Sequence, residues 1–133
     1  MLKPNASPSL TVLVVEDDEF LRQTYVLSLE AMDLPLDIVT ASNVFTALIR
    51  IGASLPDVII ADLVMDGVDG FQMIEALKSE LEFECPKVIV VSGLSPEDIQ
   101  KKGGLPEDVT LFEKPVPFAF LQDILSGMLL VRS

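Results

Sequence analysis

The sequence predicts an α/β fold, a doubly wound (βα)5 domain with a five-stranded parallel sheet of order 2-1-3-4-5 and helices on both faces. Short β-branched runs alternate with longer amphipathic stretches along the chain, as parallel sheets joined by helical crossovers require. Thr11–Val15, Asp57–Ala61 and Lys87–Val91 are close to continuously apolar, which suits strands buried on both faces. Polar residues then close the runs: Glu16 and Asp17, Asp62, Ser92, and Lys114 after Val109–Glu113. Ligands bind at the carboxyl ends of strands in such sheets, so residues a hundred positions apart can meet in one pocket.

The first strand covers about Leu10 to Val15, and a helix follows from about Glu19 to Met32, ended by Asp33 and Pro35. Leu36 to Thr40 is the second strand. Ser42 or Asn43 caps the second helix, which carries Val44, Phe45, Ala47, Leu48 and Ile51 before Gly52 stops it. The third strand ends at Asp62. The loop Met65-Asp66-Gly67-Val68-Asp69-Gly70 follows, with two glycines free to take positive φ, and leads to a helix bearing Phe71, Ile74, Leu77 and Leu81. Val88 to Val91 is the fourth strand. Ser95-Pro96-Glu97-Asp98 opens a short helix with a capping hydroxyl, proline at the first helical position and acids in the first turn, and Lys101, Lys102 and Gly103 end it. Val109 to Glu113 is the fifth strand, and the last helix runs from about Pro117 to Val131. Its apolar residues, among them Phe118, Phe120, Leu121, Leu125, Leu129 and Val131, spread over roughly half the helix circumference. Either the helix is deeply buried, or its extra apolar flank is a dimer or partner surface.

Length and charge narrow the classes of function. The 133 residues suit one domain, read as a tail over residues 1–9 and a folded unit over 10–133. With 21 acidic and 9 basic residues the net charge is −12, which disfavours nucleic acid and anionic membranes as direct partners. Cys85 is the only cysteine, so an internal disulfide is excluded and a cytoplasmic location is the default expectation. The first nine residues lack a signal-peptide core, and the apolar runs fall short of the roughly 20 residues needed to span a bilayer. The chain has no histidine, which removes a Ser-His-Asp triad, a His-ligated zinc and a phosphohistidine of its own.

Glu16-Asp17-Asp18 alone reads as a solvated turn or a helix cap. Beside Asp62 it reads differently, because the first and third strands are neighbours at the switch point of the sheet. Like charges about 4 Å apart repel by roughly 4 kcal/mol at an effective dielectric near 20, so the cluster must bind a cation, take up a proton or relax outward. A hard divalent ion on oxygen ligands, Mg²⁺ first, is the natural solution. Lys114 admits a plain surface ion pair, or an ammonium aimed inward by a cis Lys114-Pro115 bond. Ser92 admits a bond to nearby backbone and gains weight only from its neighbours.

Taken together, Val14-Val15-Glu16-Asp17-Asp18, Pro56-Asp57-Val58-Ile59-Ile60-Ala61-Asp62-Leu63-Val64-Met65, Asp69-Gly70, Val90-Val91-Ser92-Gly93 and Lys114-Pro115 resemble, in order and spacing, the receiver domains of two-component response regulators, chemotaxis regulators included. The match runs from about Leu10 to Val131. It implies a flavodoxin-like fold and a bacterial, cytoplasmic phosphoprotein in which Asp62 accepts a phosphoryl group from a sensor histidine kinase, a phosphotransfer protein or a small donor. It also implies Mg²⁺ (Mn²⁺ or Ca²⁺ could substitute) held by Asp17 and Asp62 directly, by Glu16 through water and by the backbone carbonyl of Val64. Lys114 would pair with the phosphoryl oxygens. The Ser92 hydroxyl would move onto them and shift the following loop and helix, altering a surface read by a downstream effector or by a second copy in a homodimer. The chain would be a signalling phosphoacceptor rather than an enzyme with turnover.

Three departures from the family pattern stand out. Asp66 replaces the usual proline beside the pocket, and Leu111 occupies the position of a switch aromatic, so coupling to the surface is expected without an aromatic rotamer flip. Val64 and Leu94 lie where the family tunes loss of phosphate, and apolar groups there cannot orient water, so slow loss is expected. Two rivals fit less well: a haloacid-dehalogenase-type phosphatase needs an acid at position 64, and an FMN binder would find Glu16 and Asp17 repelling its phosphate. A receiver-fold interaction module that acts without phosphorylation, and a receiver piece of a longer regulator, stay as alternatives.

Overall fold

The computed structural model describes residues 9–65 and 68–132. Residues 1–8 of the expected tail, and Asp66 and Gly67 of the loop, lie outside the described residues.

Strands β1 (Leu10–Val15), β2 (Leu36–Ala41), β3 (Val58–Ala61), β4 (Lys87–Ser92) and β5 (Thr110–Glu113) form one parallel sheet in the order 2-1-3-4-5. Between and after them run α1 (Glu19–Glu30), α2 (Val44–Ala53), α3 (Gly70–Leu81), α4 (Pro96–Lys101) and α5 (Phe118–Arg132). Alternate strand residues serve opposite faces of the sheet. Leu10, Val12 and Val14 of β1 pack with Tyr25 and Leu29 of α1 and with Leu121, Leu125 and Leu129 of α5. Leu13 and Val15 pack on the other face with Val44, Ala47 and Ile51 of α2 and Met73 and Leu77 of α3. A third apolar group joins Val88 and Val90 of β4 to Ile74 of α3 and Ile99, the buried residue of α4.

The caps follow the side chains that can accept from orphan amides. Asp18 accepts from Leu21 N at 3.0 Å, Asn43 rather than Ser42 accepts from Thr46 N at 2.8 Å, and Ser95 accepts from Asp98 N at 3.1 Å.

Several boundaries differ from the sequence reading. Helix α1 ends two residues earlier, capped at Ala31, and Asp33 turns the chain with φ 55°, a conformation aspartate tolerates better than most residues. Gly52 lies inside α2; the stop comes at Ser54, where Pro56 also bars helical geometry at Leu55. Gly70 opens α3 and serves close approach. A Cβ there would stand 2.8 Å from the carbonyl oxygen of Asp62 and 2.9 Å from Leu63 Cα. A two-stranded ribbon, Val64–Met65 against Val68–Asp69, and a 3-10 turn at Glu82–Glu84 were not expected. Both are too short to leave a periodic signal.

Helix α5 is not buried all round. Leu121, Leu125 and Leu129 face the core, whereas Phe120 is 61% and Val131 88% exposed. Phe120 stacks on Phe112 of β5, with ring centroids 6.0 Å apart. Among the described residues, no helix is long and apolar enough to cross a membrane.

Candidate functional site

The register sets the site. Val15 lies opposite Ala61, so the next residues, Glu16 and Asp62, leave neighbouring strands at the same level. Ser92 lies opposite Glu113, which brings Lys114 to the same end of the sheet, and Lys114 N donates to Ser92 O at 2.9 Å. The Lys114–Pro115 peptide bond is cis.

Lys114 Nζ reaches Asp62 Oδ2 at 2.8 Å and Glu16 Oε1 at 3.5 Å, drawing together residues 52 and 98 positions apart in sequence. Glu16 is 2% and Asp62 7% exposed. The remaining oxygens are also engaged: Glu16 Oε2 accepts from Asp18 N at 3.1 Å, and Asp62 Oδ1 from Val64 N at 3.3 Å. Asp17 follows Glu16 directly in the turn between β1 and α1. Ser92 is fully buried, but its hydroxyl accepts from Leu94 N at 3.1 Å, the local backbone bond that serines at strand ends commonly make. The structure thus joins Glu16, Asp62 and Lys114 through side chains, places Asp17 next to Glu16 in the turn after β1, and ties Ser92 to them through the Lys114 backbone. The side chain of Val64 is exposed.

The electrostatics follow from burial and from an excess of acids. Burial pushes the Glu16 carboxyl above its ordinary range, with the Asp62 charge and the neighbouring Asp17 adding to it; the Asp18 amide and Lys114 oppose. Burial pulls the Lys114 ammonium down, but the hydrogen bond and charge of Asp62, with Glu16 behind them, more than offset it and hold it above the ordinary lysine value. Tyr25, buried on α1, is pushed up by burial first and then by the charges of Glu16 and Asp62.

One ammonium does not balance three carboxylates, and all the side-chain donors are hard oxygens, the chemistry that Mg²⁺ requires. The residues therefore fit such an ion by type and charge. Among the described residues no group of three or more Cys, Asp or Glu side chains already stands in a metal-holding arrangement, and Lys114 contacts both Glu16 and Asp62.

The sequence reading missed Arg22, whose Nη1 donates to Glu16 O at 2.9 Å. A cation near the amino end of a helix, where the macrodipole disfavours it, was the available signal.

The sequence model of the response regulator receiver domain matches residues 12–125. Protein PilG of Pseudomonas aeruginosa is 31% identical over 86 residues, 65% of this chain and 62% of that protein. Protein-glutamate methylesterase/protein-glutamine glutaminase 5 of Myxococcus xanthus is 34% identical over 112 residues, 83% of this chain and 31% of that protein. The chain thus spans less than two thirds of the length of these curated relatives. The chemotaxis response regulator CheY4 of Vibrio cholerae superimposes with a TM-score of 0.73 at 24% identity, over 90% of this chain and 98% of that one, which shows the flavodoxin-like fold. With nearly its whole length matched by that sequence model and its sheet in the family's strand order, the chain belongs to the response regulator receiver domains of two-component systems.

Proposed function

We propose that residues 10–133 act as a Mg²⁺-dependent phosphoacceptor, with Asp62 as the nucleophile. The observation that carries this reading is the contact of one ammonium, Lys114 Nζ, with both Asp62 and Glu16 at the carboxyl end of the sheet. An Asp62 carboxylate oxygen attacks the phosphorus of a kinase or phosphotransfer-protein phosphohistidine. The bond from phosphorus to the imidazole nitrogen breaks as the acyl phosphate bond forms, and the imidazole leaves with the electron pair.

Phosphoryl transfer asks the protein mainly for positioning and charge neutralisation. Lys114 supplies a cation to the phosphoryl oxygens, and the Val64 amide, already on Asp62 Oδ1, helps fix the carboxylate rotamer. Asp17, Asp62, Glu16 and the Val64 carbonyl would hold Mg²⁺, which when bound neutralises phosphoryl oxygen charge. The Ser92 hydroxyl would exchange its Leu94 amide for a phosphoryl oxygen. Leu111 and Leu94 pack with Ile99 of α4 in one apolar group, so movement at Ser92 reaches α4 without an aromatic flip. The exposed flank of α5 around Phe120 is offered to an effector or to a second copy.

The decisive test is intact mass after incubation with acetyl phosphate and Mg²⁺, for wild type and Asp62→Asn. Gain of one phosphoryl group by the wild type alone is expected. No gain from acetyl phosphate or a phosphorylated kinase, together with no Mg²⁺ binding, would replace this reading with an interaction module that works without phosphorylation.

A further inference from the structure

We infer that Arg22 is a positioning residue that aims the acidic turn at its cation, an inference that rests on the Mg²⁺ reading of that turn. Residues Glu16 to Asp18 are tied at several points. Glu16 N donates to Ala41 O at 3.0 Å, Asp18 N donates to the carboxylate of Glu16, and Asp18 Oδ1 accepts from Leu21 N. These ties orient the two ends of the turn. The peptide plane between Glu16 and Asp17 has its carbonyl on Glu16, and that oxygen is held by Arg22 Nη1 at 2.9 Å. Because the plane is rigid, holding this oxygen also fixes the direction in which the chain enters Asp17, and hence where the Asp17 carboxylate starts from.

Arg22 is the fourth residue of α1, in the first turn where the helix dipole opposes a cation, and its backbone N–H donates to Asp18 O at 2.9 Å. Its placement is therefore best explained by what the guanidinium holds. The helix presents the arginine, the arginine holds the strand-end carbonyl, and the carbonyl orients a metal-holding acid.

Charge and position predict opposite signs. If Arg22 were only a nearby positive charge, removing it would lower the repulsion felt by a divalent cation and tighten binding. If it positions Asp17, removing it weakens binding, on the order of tenfold, as loss of an outer partner of a metal site does. The experiment is calorimetric titration of Mg²⁺ into wild type, Arg22→Met and Arg22→Lys at one ionic strength, with circular dichroism confirming the fold of each. Weaker binding in Arg22→Met, with recovery in Arg22→Lys, is expected. Equal or tighter binding in Arg22→Met overturns the inference. Should Arg22→Met fail to fold, Arg22→Gln enters the same comparison, and equal or tighter binding there overturns it as well. Absence of Mg²⁺ binding in the wild type removes the metal reading itself and this inference with it.

Discussion

Replacing Gly70 by alanine tests how rigidly α3 is set against the strand end that carries Asp62. The added Cβ would meet Asp62 O at 2.8 Å, Leu63 Cα at 2.9 Å and Leu63 O at 3.1 Å. Carbon atoms in good contact lie about 3.5–4.0 Å apart, so the overlap with Leu63 Cα is more than about 0.5 Å. All three atoms are backbone, so no rotamer change relieves the clash. Either the start of α3 or the Asp62–Leu63 peptide must move, and Gly70 N is itself bonded to Leu63 O at 3.1 Å. Overpacking of this kind costs about 1–3 kcal/mol, and the better helix propensity of alanine returns at most about 0.5–1 kcal/mol, leaving a net loss of up to about 2.5 kcal/mol. Gly127→Ala is the control: it lies inside α5 with no atom beyond its own helix backbone and chain neighbours within 4 Å of the added carbon, so it should gain about 0.5–1 kcal/mol. Urea denaturation followed by circular dichroism reads both as midpoint shifts of opposite sign at unchanged slope. Equal, stabilising shifts in the two variants would refute the reasoning, because they would show that α3 slides away from Asp62 at negligible cost.

Other outcomes follow from the same contacts. Leu125→Ala, fully buried between α5 and the sheet, should cost about 2–5 kcal/mol in the same denaturation assay. Asn43→Ala removes the acceptor of Thr46 N and should cost about 1 kcal/mol, with Asn43→Asp close to neutral. The hydrogen bond from Lys78 at 2.5 Å holds the Asp108 carboxyl below its ordinary range. A depressed carboxyl stabilises the fold above its unfolded value and loses that contribution as pH falls through the folded one. Asp108→Asn should therefore be slightly less stable than wild type at neutral pH, and the difference, read by thermal melting, should vanish in acid. Loss of the phosphoryl group from Asp62, followed by intact mass in Mg²⁺, should take much longer than seconds, since Val64 and Leu94 offer no group to orient water.

The fold was legible because three signals agree. Continuous apolar runs mark β1, β3 and β4, capping groups mark the starts of α1, α2 and α4, and polar residues close the strands. Agreement across such levels is what makes a sequence specify one structure. Boundaries were less legible where tertiary contact decides them. Gly70 reads as a loop glycine because its requirement, the approach of the Asp62 carbonyl, involves a residue eight positions away. The Val64–Asp69 ribbon contributes two residues per strand and leaves no period to detect.

Within the site, the residues that converge were legible and the hydrogen bonds that orient them were not. Strand register brings Glu16, Asp62 and Lys114 to one level whatever their rotamers, so strand ends alone point to them. The Arg22 bond to Glu16 O needs the turn of α1 over the end of β1; a cation near the helix start hints at a special role but does not name its partner. Ser92 shows the same limit in a way that bears on switching. Its hydroxyl is held by Leu94 N, and Leu94 belongs with Ile99 and Leu111 to one apolar group, so withdrawing the hydroxyl frees an amide in the segment leading into the six-residue α4, whose buried residue is Ile99. Ser92→Ala tests that coupling. It removes the acceptor without adding a phosphoryl group, so amide exchange across Gly93 to Lys101 should speed up, while exchange in β1 and β3 stays unchanged. Uniform exchange in both regions would mean that the hydroxyl does not restrain α4.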